Sequence, residues 1–343
     1  MQKKFVTRIG IGLAIVAMAF AYITAAGKME QSRSATPLEG GTAVSGPPVD
    51  TPSLMADVGT LASPMFKGRL TGTEGSKLAQ AYISKRFSEI GLAHYGAGYA
   101  MPFAFTRKSI RGLLSPDKKY TTEYPDATNL VGYIRGSKDP NRIMVVSAHY
   151  DHLGERAGAV YHGADDNASG VGAMLAVAAY FKQHPPLHTV VFAAFDAEEL
   201  GSGGANHFIE ALPFPRAQLA FNLNLDMVSR NDSNEVWASG LYHNPSLKYL
   251  AAAAAKHSTV KVRTGHDKPM LLAGLVEDWT SSSDHRSFHA AGVPFLYFGV
   301  ADHADYHQPT DVAEKIDPVF YSKVTSLLID VALMADHNLQ AIR

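Results

Sequence analysis

The stretch RIMVVSAHYDHLG, residues 142–154, decides the fold. Its first half is apolar without alternation, as a strand covered on both faces requires, and its second half delivers His149 and Asp151 within three residues. The same pattern recurs downstream. HTVVFAAFDAEELG (188–201) is another apolar run that ends in acids, here Asp196, Glu198 and Glu199, and LAFNLNLDM (219–227) ends in Asp226. PFLYFG (294–299) and NLVGYIRG (129–136) add two more strands. Between them lie helical patterns at 169–184, near 205–212 and near 245–257, with a long last helix from Pro318; GTEGSKLAQAYISKRFSEIGL (72–92) is an amphipathic helix stopped by Gly91. Buried strands alternating with helices define an α/β fold: a three-layer α/β/α arrangement around a central mixed, mostly parallel sheet. Ligands of such sheets bind outside the carboxyl ends of the strands, so three strands bring imidazole and carboxylate groups to one end.

Composition narrows the chemistry. The chain has 343 residues, 46% of them hydrophobic, enough for a real core. With 31 basic and 32 acidic side chains there is no field to attract nucleic acid, which is not expected as a partner. The absence of cysteine excludes disulfides, thiolate metal sites and a cysteine nucleophile. Any metal must therefore be held by His, Asp and Glu, and 15 histidines make such a site worth seeking.

At the N-terminus a basic head (Lys3, Lys4, Arg8) precedes the apolar run 9–26, the pattern of an export signal. Thr24-Ala25-Ala26 offers small residues for cleavage, while about 18 apolar residues also suffice to span a bilayer if the segment is retained. Residues 1–26 thus read as a signal peptide or membrane anchor, 27–52 as a flexible leader and 53–343 as a single domain. The domain is expected outside the cytoplasm, in the periplasm or secreted, touching membrane only through an uncleaved N-terminal segment. The sequence specifies no oligomeric state.

GADDNASG (163–170) places Asp165 and Asp166 side by side before a helix. Two like charges in that position either cap the helix, where a negative charge gains about 0.3–1 kcal/mol, or share a cation. The expectation is one role for each aspartate. The pair Glu198-Glu199 divides in the same way, one glutamate as a ligand and its neighbour as general base toward an activated water. In DYHQPTD (305–311), His307 completes a set of five N/O ligands from five loops: His149, Asp165, Glu199, Asp226 and His307. Such a set suits two zinc ions. The loop histidines His152, His162 and His303 read as solvated. Asp284 and His285 read either as residues near the pocket or as a helix cap that braces the His307 loop. The apolar stretch Met270–Leu275 with Trp279 either walls a side-chain pocket or packs over the sheet edge.

GRLTGTEG, HYDHLG, GADDNASG, DAEELGSGG, NLDM, SSSDHRSFHAAGVP and DYHQPTD, in that order, resemble the co-catalytic zinc exopeptidases of the leucyl aminopeptidase and aminopeptidase S type, metallopeptidase family twenty-eight. The resemblance runs from about Leu54 to His337 and implies a zinc exopeptidase fold. It also implies an aminopeptidase acting on peptide substrates with two Zn²⁺ per chain. His149 and Asp226 would hold one zinc, Glu199 and His307 the other, and Asp165 would bridge them. Glu198 matches the general base and Asp151 the carboxylate that orients His149. Tyr306 matches a tyrosine that donates to the developing oxyanion in some members. A cis bond is expected between Asp165 and Asp166. The protease-associated insertion of many relatives does not fit in the roughly 37 residues between Leu92 and Asn129. Carboxypeptidase, other amide hydrolase and one-zinc glutaminyl cyclase activities remain alternatives on such a site.

Overall fold

The computed structural model of the chain describes residues 36–37, 46–108 and 121–342. The expected signal or anchor at 1–26 lies outside the described residues, as does most of the leader. The leader's last residues, however, belong to the folded body. Asp50 caps helix α1 (Thr51–Leu61) by accepting from Ser53 N at 3.2 Å, with proline in the first turn, and the Pro47 carbonyl accepts from Ser326 Oγ at 2.7 Å. The Pro- and Thr-rich composition that suggested a linker is that of a helix start, where proline's missing N–H leaves no hydrogen bond unmade.

Helix α2 (Glu74–Ile90) begins at a Thr73 cap and stops at Gly91 in the left-handed region (φ 80). The strands are β1 (Thr36–Pro37), β2 (Ala100–Lys108), β3 (Thr121–Ile134), β4 (Asp139–His149), the short pair β5 (Glu155–Arg156) and β6 (Ala159–Val160), β7 (His188–Phe195), β8 (Leu219–Leu225), β9 (Glu235–Ser239), β10 (Lys261–Thr264) and β11 (Phe295–Gly299). The remaining helices are α3 (Gly170–Gln183), α4 (Gly203–Glu210), α5 (Lys248–Lys256), α6 (His285–Ala290) and α7 (Pro318–Asn338).

The main sheet runs β1-β10-β9-β11-β8-β4-β7-β3-β2. Its centre is parallel: β11 with β8, β8 with β4, β4 with β7. Antiparallel pairs flank that centre, β3 against β7 and β2 on one side, β9 against β11 on the other. Every residue of β7 is buried, which is why its sequence lacks alternation. One face of the sheet is covered by α1, α2, α3, α5 and α7, the other by α4 and α6 through Ala205, Phe208 and Phe288. Among the described residues α7 alone is long and apolar enough to cross a membrane. It serves as core instead, with Val324, Leu328 and Val331 fully buried. Truncating Leu328 to alanine there should cost about 2–5 kcal/mol.

Because β8, β4 and β7 are adjacent, the residues that follow them, Asp226, His149 and Glu198-Glu199, emerge side by side at one end of the sheet. The chain leaving β11 supplies 302–307 to the same end. Gly299 lets it pass, since a Cβ there would sit 2.5 Å from the Asp226 carbonyl.

Candidate metal centre

His149 ends β4 fully buried, and its Nδ1 donates to the Asp151 carbonyl at 3.2 Å, leaving Nε2 to face the cleft. The Asp151 carboxylate stands 3.6 Å from the ring, beyond hydrogen-bond length. It accepts instead from Glu198 N (2.9 Å) and Glu199 N (3.3 Å). Asp151 thus fixes the imidazole through its main chain and the two glutamates through its side chain.

The structure corrects the assignment of the two aspartates. Asp165 turns under the loop, where Oδ1 accepts from Ser229 N (2.9 Å) and Ser229 Oγ (2.6 Å) and Oδ2 pairs with His303 Nε2 at 3.1 Å. Asp166 is the aspartate that faces the cleft. Its Oδ1 lies 3.4 Å from His149 Nε2, and its Oδ2 lies 3.1 Å from His307 Nε2. The cis peptide bond also lies one residue later than expected, between Asp166 and Asn167. Neither aspartate caps α3. Asn167 instead pins the start of the helix, its Oδ1 accepting from Gly170 N at 2.9 Å and its Nδ2 donating to the Leu225 carbonyl at 2.9 Å. Asp311 holds the loop from the other side, its carboxylate accepting from the backbone N–H of both Asp165 and Asp166 at 3.1 Å.

Asp166 divides the cluster into two nests. In the first, His149 Nε2 lies 3.4 Å from both Asp166 Oδ1 and Asp226 Oδ1. In the second, His307 Nε2 lies 3.1 Å from Asp166 Oδ2 and 3.3 Å from Glu199 Oε2. A tetrahedral zinc with bonds of about 2.0–2.1 Å spaces its ligand atoms about 3.3 Å apart, so both nests have the right size. Asp226 Oδ1 is buried without a hydrogen-bond partner, which a cation would supply, whereas Glu199 Oε1 stands 2.8 Å from His152 Nδ1. The residues present therefore fit divalent metal, and the all-N/O donor set suits zinc.

His152, expected in solvent, is fully buried with Nδ1 2.8 Å from Glu199 Oε1 and 3.7 Å from Asp166 Oδ2. With Asp166 and Glu199 it forms a group close enough to hold a metal, and its ring centroid lies 5.9 Å from that of His307. The sequence signal was its place on an apolar strand exit. His303 is likewise engaged, on Asp165, and His162 Nδ1 meets the Ala62 carbonyl at 2.8 Å.

Burial disfavours the charged form of both ligand rings, but the carboxylates around them win. His149 is raised well above its usual value by Asp226 and the Asp151 contact, and His307 is raised to about 10 by Asp166 and Glu199. Burial likewise works to raise Glu199, yet the rings of His152 and His307 hold it below the carboxylate range. Glu198 has no such compensation. Burial pushes it well up, opposed by His149 and reinforced by Asp284 and Asp226.

The cluster floors a cavity of about 220 Å³. Met227, Trp279, Tyr297 and Val300 form its apolar wall, Tyr306 stacks on His307 with centroids 3.9 Å apart, and Glu277 and Asp302 add further acids to the lining. Of the apolar stretch, Trp279 lines the cavity, whereas Met270, Leu271, Leu272 and Leu275 are exposed. Asp284 and His285 do not brace the His307 loop: Asp284 is fully buried and His285 Nε2 meets the Trp279 carbonyl at 2.9 Å. Asp305 is the brace, paired with Arg230 at 2.9 Å and with Lys315.

The family model described as "Peptidase family M28" matches residues 129–332. "Aminopeptidase YwaD" of Bacillus subtilis is 29% identical over 236 residues, 64% of this chain and 48% of that one. A "Probable zinc metalloprotease" of Pyrenophora tritici-repentis is 34% identical over 116 residues, 32% of this chain and 26% of that one. The chain thus spans about half or less of the length of these curated relatives. Among solved structures, a Zn-dependent exopeptidase from Parabacteroides distasonis superposes with a TM-score of 0.63 at 18% identity, covering 84% of this chain and 99% of that one. A glutaminyl cyclase from Bacteroides thetaiotaomicron superposes with a TM-score of 0.61 at 17% identity, covering 83% and 98%. These structures share the fold, and the fold alone does not choose between their reactions. With its match running from β3 into α7 across every residue of the two nests, the chain belongs to peptidase family M28.

Proposed function

We propose that the chain is an exported zinc-dependent aminopeptidase that removes N-terminal residues from peptides, with two zinc ions per chain. The observation that carries this reading is the charge of the cavity. Among the described residues that line it none is Lys or Arg, while Glu277 and Asp302 stand beyond the five residues of the nests and the candidate base. A carboxypeptidase needs a cation for the terminal carboxylate of its substrate. This cavity offers carboxylates, which complement the α-ammonium of a free N-terminus. Its 220 Å³ falls below the roughly 300–1,000 Å³ of common ligand pockets, a size for one end of a peptide rather than for a strand laid across. Two complete nests speak against a one-zinc cyclase.

His149, Asp226 and Asp166 would hold one metal; Asp166, Glu199 and His307 would hold the other. The bound metals supply an acidified water and polarisation of the scissile carbonyl. Glu198, raised by burial, accepts the proton of the attacking water and returns it to the leaving amine. Asp151 fixes the Glu198 and Glu199 backbone against this movement of charge. The Tyr306 hydroxyl, kept protonated by burial, donates to the oxyanion. Met227, Trp279 and Val300 exclude water beside it. Export rests on the pattern of residues 1–26.

The test pairs leucine p-nitroanilide with its N-acetylated counterpart. Cleavage of the free-amine substrate alone, lost to chelator and restored by zinc, is expected. Equal cleavage of the acetylated compound would overturn recognition of the free amine.

A further inference from the structure

We propose that Arg69 is a positioning residue for the metal nests: its guanidinium ties the segment that carries His149 to the segment that carries Asp166 and so sets their separation. The inference rests on the two-nest reading of the site.

GRLTGTEG stands far from the other motifs, and its glutamate and threonines ligate nothing. Its arginine is fully buried without a carboxylate in contact among the described residues. Four of its five N–H groups are spent on main-chain carbonyls. Nε donates to Tyr150 O at 2.7 Å, Nη1 to Leu61 O and His162 O at 2.7 Å each, and Nη2 to Gly163 O at 2.8 Å. Tyr150 directly follows the ligand His149. Gly163 precedes Asp166 by three residues, and the loop between them is the one that Asp311 and Asn167 hold in shape. A single rigid planar group therefore spans the two segments that make the first nest.

The backbone is bent to put it there. Lys67, Gly68 and Arg69 are all left-handed, with φ of 47, 65 and 50, a conformation unfavourable at each residue that is not glycine. Gly68 lies so close to the same two segments that a Cβ would fall 2.3 Å from Tyr161 O and 2.6 Å from Gly154 O, and its own carbonyl accepts from Gly154 N at 2.9 Å. The turn is wedged between the chains that Arg69 joins. Its buried positive charge, felt through space by Asp166, Asp311, Asp151 and Glu199, also offsets acid that would otherwise repel itself.

Lysine keeps the charge at this position but cannot reproduce a planar fork toward four carbonyls. The test measures zinc affinity of the full chain by competition with a chromophoric chelator, for wild type, Arg69→Lys and Leu328→Ala. Leu328→Ala serves as a core control for loss of stability alone, and melting of each metal-free protein is recorded beside it. Arg69→Lys is expected to bind zinc about 10- to 100-fold more weakly, with kcat reduced and KM little changed, while Leu328→Ala keeps wild-type affinity. In Arg69→Ala, added guanidinium at non-denaturing concentration should recover zinc affinity where methylammonium does not. Zinc affinity of Arg69→Lys within about twofold of wild type, or falling in step with Leu328→Ala, would overturn the inference. A wild type that binds fewer than two zinc ions would instead overturn the two-nest reading on which it stands.

Discussion

Exchanging either of two adjacent aspartates for asparagine should produce opposite defects. Asp165 is fully buried and its carboxylate accepts three hydrogen bonds, two from Ser229 and one from His303. Asp165→Asn puts an amide N–H₂ where an acceptor is needed, leaving a buried donor unmatched at a cost of about 1–3 kcal/mol. For a domain of this size that lowers Tm by about 3–10 °C. Zinc content should remain at two per chain. Asp166→Asn gives up the pairing with His307 but also relieves the repulsion between Asp166 and Glu199, so the metal-free protein should melt close to wild type. Its defect is in the metal. A unit charge about 4 Å from a cation is worth about 4 kcal/mol at an effective dielectric of 20, so each site should lose about a thousandfold in affinity. Both sites are affected because each carboxylate oxygen faces a different nest. The assay is zinc per chain by elemental analysis after dialysis, beside thermal melts with and without chelator. Retention of both zinc ions by Asp166→Asn together with their loss from Asp165→Asn would refute the reasoning.

Other expectations follow from the same geometry. Glu198→Gln should lower kcat by about 10²–10⁴ with zinc content intact, and near wild-type turnover would remove the base assignment. Tyr306→Phe should lower kcat by about 10²–10³ with little change in KM; an unchanged kcat would show that its hydroxyl does not reach the oxyanion. Burial depresses His285 to about 4, so its ring is neutral in the native state and takes up a proton more readily when unfolded. Its contribution is full above the unfolded value of about 6.5 and is lost as pH falls toward 4, about 3 kcal/mol in all. His285→Gln should flatten the stability profile across that window, and an unchanged slope in denaturant melts would exclude this origin.

The strand ends were legible in the sequence because buried parallel strands lack alternation, and each announced its polar residues at the same end. His149, Glu199, Asp226 and His307 lie in one cluster for that reason. The choice between Asp165 and Asp166 was not legible. The two residues are identical, and what separates them is the turn of the loop around Asn167 and the hold of Asp311, more than 140 residues away. His152 was misjudged because a histidine in a loop is usually wet, whereas this one follows β4 into the packed floor of the cleft. The antiparallel β2–β3 hairpin on the sheet edge was underestimated too, since Thr121–Thr128 is half exposed and carries no continuous apolar run. Arg69 showed in sequence only as part of a motif; its role depends on four carbonyls drawn from three separate segments.

The central claim is that one carboxylate, that of Asp166, is shared by two metal nests. Crystals of the zinc-loaded chain measured at the zinc edge test it most directly. The account predicts two anomalous peaks, one beside His149 and Asp226 and one beside Glu199 and His307, with the Asp166 carboxylate between them. A single peak, or peaks that leave Asp166 aside and engage Asp165, would contradict it.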